Sequence, residues 1–539
     1  MTASSGAASA PNIPDLAERM RIRALLRSNS QPPAQIHSKI SELLAELARF
    51  DVQIAKLQAE LDQLAARRAP FQAHYDDCYG LIAPIRRLPS EILVEIFRLC
   101  WLEPVADVDE SALAMKRLAN APLLALSQVC SRWHTIALGT PALWSVIEID
   151  SLIWSEPTVK VDTAMGLLRS VLERGANHPL VVTIRNLDGG QLYGPALELL
   201  ARHSVRWRSA ILTGPLAPLR HLSGAKNNLP QLESLMFYCW PWETPETTPF
   251  ELFQVAPSLA RLELAGNVDN FPVLSNFPFE QLDRLECAEQ IGPLPAFFTT
   301  TISRLSRTST LSLRLCLTSP GDLFHIPSAT SNVAFLDIDV PWDIPTSAQQ
   351  LLHQLFASLT LPFLERLGFQ TTEPPPVALP WPHPQFLSLS QRSAFHTHLF
   401  ELLLDDVAIA DTELIECLAT LPALEHLSIA DHKSGTQGEH VLITDTLWAA
   451  LMRTPSSKAC LVPRLCFLEF QTLLKFDEKI LLTCVESRAY GMPPDLDIFD
   501  SALLSIAEPD RDFGPATWLR IEELWWEVGM GFTFAGEKK

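Results

Sequence analysis

Catalysis and metal binding need particular side chains at particular spacings, and few stretches of this chain offer them. The sequence His396-Thr397-His398 sets two imidazoles two residues apart. On a strand that spacing puts both on one face, where they could ligate a metal, but no third ligand follows nearby, so a surface or core role is expected. Cys460 and Cys466 are the closest pair among ten cysteines and no CxxC occurs. The cysteines therefore suit neither a zinc site nor a disulfide framework, and read as buried free thiols of a reducing compartment. Cys130 lies in an apolar helical run, where thiolate formation is disfavoured. The stretch DEKILLTCVES (477–487) is acidic without a partner pattern. No Gly-rich phosphate loop, GxSxG or HExxH is present. A chain without an enzyme's catalytic set, without a cofactor and without a metal is expected, with an unrecognised hydrolase in the C-terminal half as the enzymatic rival.

Bulk properties bound what remains. The 539 residues are too many for one core, and 47% hydrophobic content is enough to bury several. With 62 acidic against 42 basic residues the net charge is −20, which phosphate backbones would repel. The densest basic patch, RMRIRALLR at 19–27, is small, so nucleic acid is not expected as a partner. Neither a secretory signal nor a run of 18 apolar residues stands out, which implies a cytoplasmic or nuclear protein that does not enter a membrane.

The elements follow from periodicity. Residues 1–35, rich in Ala, Ser and Pro, read as a flexible lead. From 36 to 80, Ile40, Leu43, Leu47, Phe50, Ile54, Leu57, Leu61 and Leu64 alternate three and four apart, which is a coiled-coil seam. In a parallel homodimer Glu46 would face Asp51, so self-association, if it occurs, is as readily antiparallel, and docking onto the chain's own body is an equal alternative. After Gly80, Pro89 and Glu91 open a helix whose Ile92, Leu93, Ile96, Phe97 and Cys100 share one side. Two further short helices carry Leu123, Leu126, Val129, Trp133, Ile136 and Ala137 before Pro141. Three helices this small hold more apolar surface than they can hide, so a partner is expected to cover the remainder.

Those stretches, LPSEILVEIF (88–97), LSQVCSRWHTIAL (126–138) and TPALW (140–144), resemble the F-box, the helical module that docks substrate receptors onto the Skp-type adaptor of cullin-RING ubiquitin ligases. The lead-in LLRSNSQPP, the heptad helix and IAPIRRLP are similar to a large group of fungal F-box proteins. The resemblance implies a module over 85–149 with Leu88, Pro89, Ile92, Leu93, Ile96 and Phe97 at the adaptor. It also implies that Val129, Cys130 and Trp133 are shared between the module's core and the interface, while Trp144 caps the module. The interval 102–121 exceeds what a compact module needs. It is expected to loop out, with a short helix near 111–119, unless it covers the docking face.

From 160 to 539 one phrase recurs, apolar-x-x-apolar-x-apolar, at 232–237, 259–264, 282–287, 333–338, 364–369, 399–404, 424–429 and 465–470. TLSLRLC (310–316) fits the widest gap, PLVVTIRN (179–186) and RWRSAILTG (206–214) read as earlier strands, and Asn267 completes one leucine-rich phrase. Each phrase predicts a short strand facing a solenoid core, with return helices at PFELFQVAPS (249–258) and DTELIECLATLPA (411–423). Pro-rich stretches at 241–249 and 372–385 are expected to project as loops, and WLRIEELWWEVGMGF caps the end. The fold class is α/β: a long N-terminal helix, a three-helix F-box and an irregular leucine-rich-repeat-like α/β solenoid. The expected function is a substrate receptor that binds the adaptor, through it a cullin-RING ligase, and an unknown target protein. The rival reading is an interaction scaffold of the same fold working outside a ligase.

Overall fold

The computed structural model describes residues 16–28, 31–102, 121–150, 161–185, 193–239, 251–266, 276–288, 301–314, 327–339, 346–370, 378–405, 407–431, 440–453, 460–490, 501–506, 513–528 and 531–535. The chain divides into two compact units, Met1–Ile92 and Leu93–Lys539.

In the first unit the heptad pattern becomes one helix, Ile36–Ile82, of 47 residues. At 1.5 Å per residue it is about 70 Å long. It passes through Pro70 and contains no buried residue. The expected flexible lead is partly ordered instead: Leu16–Arg27 is a helix. Its Leu, Ala, Glu, Met and Arg residues are strong helix formers with no proline among them.

The second unit is dominated by one parallel sheet of 14 strands in which each strand pairs with its predecessor along the chain. That order is what a repeating one-step coil of chain produces. Every recurring phrase is a strand of this sheet, from Ser234–Cys239 to Phe467–Thr472. The register turns the phrase into columns: Leu235, Leu262, Leu285, Leu311, Leu336, Leu367, Leu402, Leu427 and Leu468 stand side by side across nine strands. In all eight phrases the three apolar positions are at most 3% exposed. TLSLRLC supplies Thr310–Arg314, and the earlier stretches supply Leu180–Arg185 and Trp207–Thr213.

Return segments cover the leucine face. Asp411–Ala419 is helical as expected, and Pro515–Val528 followed by the strand Gly531–Ala535 closes the sheet. Residues 251–258 are not the expected helix but a run of turns. Their Phe253 stacks on Phe277 at 5.6 Å and meets Phe237 edge-on at 6.2 Å, so aromatic rings fill the layer a helix would have filled. The stretch 372–385 is likewise corrected where it is described. Leu379–Pro380 pairs in parallel with Val407–Ala408, and Pro384 lies in the first turn of helix His383–Arg392, where its missing N–H has no partner to lose. Trp381 between them is buried. His396 and His398 lie on one helical turn, Phe395–His398, not on a strand, because Ala394 turns the chain through φ 54°. The 241–249 loop, Asn267 and residues 103–120, with the helix expected near 111–119, lie outside the described residues.

Neighbouring turns are tied by arginines that cap carbonyls left open by the preceding one. Arg206 donates to Gly175 O at 2.9 Å and His178 O at 3.0 Å. Arg392 donates to Leu359 O at 2.8 Å, and Arg488 to Leu451 O at 2.7 Å and Leu461 O at 2.8 Å. Arg488 is 1% exposed, and burial lowers its pKa. Asp431 answers the opposite need, accepting the backbone N–H groups of Leu442, Ile443 and Leu473 at 2.7–2.9 Å. Burial raises its pKa against the pull of those bonds.

Candidate functional site

The helix after Pro89 spans Ser90–Leu102, with Glu91 in its first turn. Two adjacent stripes run along it. Leu93 and Phe97, one turn apart, are 0% and 1% exposed. The other stripe is Ile92, Ile96 and Leu99 at i, i+4 and i+7. Ile92 is 47% exposed, Leu99 57%, and Ile96 is half-buried.

The next two helices are Ala121–Ser127 and Ser131–Gly139, separated by the turn at Gln128 and Val129. His134 Nδ1 lies 3.2 Å from Ser127 O, which ties the second of these helices to the end of the first. Trp133 lays its ring edge-on against Phe97 at 5.1 Å and stays half-buried. Trp144, fully buried, donates Nε1–H to Ala137 O at 2.7 Å, and the Arg174 guanidinium stacks on its ring at 4.5 Å. The strand Val146–Asp150 begins two residues later and is the first of the sheet.

These placements sort the expected adaptor residues. Leu93 and Phe97 are buried within the chain itself, Phe97 with Trp133 against its ring. Cys130 is not mid-helix but the residue capping Ser131–Gly139, in extended conformation and half-buried. Leu88 is half-buried and Pro89 exposed just before the helix. Val129, at the tip of its turn, is 60% exposed. Leu99 was not among the expected residues, although the i, i+4, i+7 spacing from Ile92 marks it.

A second surface lies on the sheet face opposite the leucine columns. Glu263, Glu286, Ser312 and Asp337 share one register level on four neighbouring strands. Arg261, Arg284, Arg366, Glu401 and His426 lie on the adjoining level. Arg366 approaches Asp337 at 3.3 Å and Glu401 at 3.9 Å, and Arg314 meets Asp339 at 2.7 Å. Desolvation raises the pKa of Glu263, Asp337 and Asp339, with the Glu286 charge adding to it. Gly368 leaves the space this needs: a Cβ there would stand 2.7 Å from Asp337 Oδ1. The signal was present in the sequence as the Arg-Leu-Glu of LARLEL and LDRLEC, whose polar residues alternate with the buried leucines.

Among the described residues Cys417 Sγ lies 3.4 Å from His383 Nδ1, whose Nε2 lies 2.9 Å from Glu416 Oε2. Among the described residues no group of three or more metal-ligating side chains forms, and no helix is long and apolar enough to cross a membrane. Burial pushes the Cys417 and Cys484 thiols up to about 12 and raises the Cys287 thiol as well, which disfavours the thiolate at all three.

No curated protein matches the chain. Among solved structures, a crystal structure of the Rad7 and Elc1 complex in yeast is aligned at 12% identity over 80% of this chain and 99% of that one, with a TM-score of 0.25, too low to carry a shared fold. The specific match is local and falls on the three helices and the buried Trp144 that follows them: residues 85–149 match the F-box-like family.

Proposed function

We propose that this protein is a substrate-receptor subunit of a Skp–cullin–F-box ubiquitin ligase. The observation that carries the reading is the F-box-like domain at 85–149 with an apolar stripe left in water on its first helix. Exposed aliphatic residues on a small helical module are what a partner helix covers at a gain of about 1.5–3 kcal/mol for each side chain fully buried. Ile92, Ile96 and Leu99, with Val129, are the residues that meet the Skp-type adaptor, and the adaptor brings the cullin. The target is held by the leucine-rich-repeat-like region, on the charged sheet face around Glu286 and Asp337. The chain adds no catalytic group and no cofactor, since a receptor accelerates transfer by holding a substrate lysine near a thioester carried elsewhere.

The test is adaptor binding by purified full-length chain carrying Ile92→Asp, Leu99→Asp or Val129→Asp. Each position is exposed, so folding should survive. Each charge should weaken adaptor binding about 30-fold, the size of a 2 kcal/mol anchor. Wild-type chain that recovers no adaptor or cullin from cells would reject the ligase reading, and unchanged affinity in all three variants would reject the docking stripe.

A further inference from the structure

We propose that helix Ile36–Ile82 pairs with the same helix of a second copy of this chain, antiparallel, in the register that sets Glu46 of one copy against Arg67 of the other. The starting observation is a 47-residue helix without one buried residue, whose seam from Ile40 to Leu64 is exposed throughout. A seam repeating every 3.5 residues is shaped for another helix.

The charges beside the seam choose the partner's direction. In a parallel pair Glu46 faces Asp51, and the remaining flanks, Gln53 with Gln58 and Glu60 with Ala65, supply no attraction. Antiparallel packing instead sets flanking positions against their own kind. In the register centred between Ile54 and Leu57 the seam pairs Ile40 with Phe71, Leu47 with Leu64 and Ile54 with Leu57, and by symmetry each pair occurs twice. Arg68 then lies against Leu43 by its methylene stem, and Tyr75 against Ile36. Beside this seam Glu46 meets Arg67 twice, while Leu44 meets Ala65 and widens the apolar strip. Within its own helix Glu46 Oε2 accepts from Arg49 at 3.0 Å.

Sliding one heptad in one direction sets Glu46 against Glu60 and Lys39 against Arg67. Sliding one heptad in the other sets Glu60 against itself. A further shift that pairs Lys39 with Glu60 keeps only residues 36–61 in contact. One register alone joins full use of the seam to attraction at its edges. Its consequence is geometric: the two Ile82 ends lie about 80 Å apart, so the segments leading into the two docking modules leave the helix pair at opposite ends.

Sedimentation equilibrium of the full chain tests this. The expected mass is twice 60.0 kDa, falling to the single-chain value in Leu47→Asp plus Leu61→Asp, both exposed positions on the seam. Glu46→Arg alone should weaken the dimer about tenfold, because two attractions become repulsions, and adding Arg67→Glu should restore it to within about threefold. Wild-type chain that stays monomeric at every concentration overturns the proposal, the helix then serving its own chain or another protein. A dimer that tightens on Glu46→Arg overturns it too, since that is the response of a parallel pair with Asp51 opposite.

Discussion

Replacing Phe97 by alanine should unfold the three-helix module and leave the sheet standing. Phe97 is 1% exposed, with Trp133 against its edge at 5.1 Å and Leu93, fully buried, one turn behind it. Removing a buried phenyl ring costs about 3–5 kcal/mol, the range reflecting how far the surroundings collapse into the space. The helices around this ring have 13, 7 and 9 residues. None is long enough to persist without tertiary packing, so the loss falls on a structure with little else to hold it. Hydrogen exchange followed by mass spectrometry reads the outcome locally. Amides of Ser131–Gly139 should lose roughly 100-fold or more of their protection, the equivalent of 3 kcal/mol, while those of the strands from Ser234 onward keep theirs. Ile92→Ala, at an exposed position of the same first helix, should change protection by less than about 0.5 kcal/mol. Protection of Ser131–Gly139 within threefold of wild type in Phe97→Ala would refute the packing argument. Equal damage from Ile92→Ala would refute the division of the helix into a buried and an exposed stripe.

Two further outcomes follow from buried charge. Arg488→Met keeps the volume but leaves the carbonyls of Leu451 and Leu461 without their donor, and should cost about 3 kcal/mol, read as a lower midpoint in urea. Glu263 has a folded pKa raised by desolvation first and by Glu286 second. An acid with a raised folded pKa binds its proton more readily in the native state, so its contribution to stability is highest at low pH and falls as pH rises through the folded value. Glu263→Gln should therefore stabilise the chain relative to wild type at pH 7 and lose that advantage toward pH 4, measured as the difference in melting temperature. A difference that does not vary with pH would contradict the desolvation of Glu263.

The solenoid was legible because its signal is redundant. Leu235, Leu262 and Leu285 need only a period of two and a recurring spacing to be recognised, and the register then makes them neighbours without further information. Return segments were less legible. PFELFQVAPS and DTELIECLATLPA look alike in apolar content, yet only the second is a helix. The first gains more by stacking Phe253 on Phe277, a contact made with residues over twenty positions away. The apolar side of helix Ser90–Leu102 was legible, but its division into a buried and an exposed stripe was not. Ile92 and Leu93 are equally apolar and adjacent in sequence, yet Leu93 is buried and Ile92 is 47% exposed. Sequence periodicity marks an apolar side of a helix; it does not mark which half of that side the protein keeps for itself.

That division also explains why two tryptophans eleven residues apart have different tasks. Trp133 closes the module from one side and remains half-exposed. Trp144 joins the module to the sheet: its indole N–H is bound to Ala137, its ring lies under Arg174 at the end of helix Val161–Arg174, and Ser145 O accepts from Val181 of strand Leu180–Arg185 at 2.9 Å. A flexible linker here would let the module and the sheet reorient independently. A buried indole with both its face and its N–H engaged removes that freedom in advance. The three helices and the sheet are therefore joined through a packed core around Trp144.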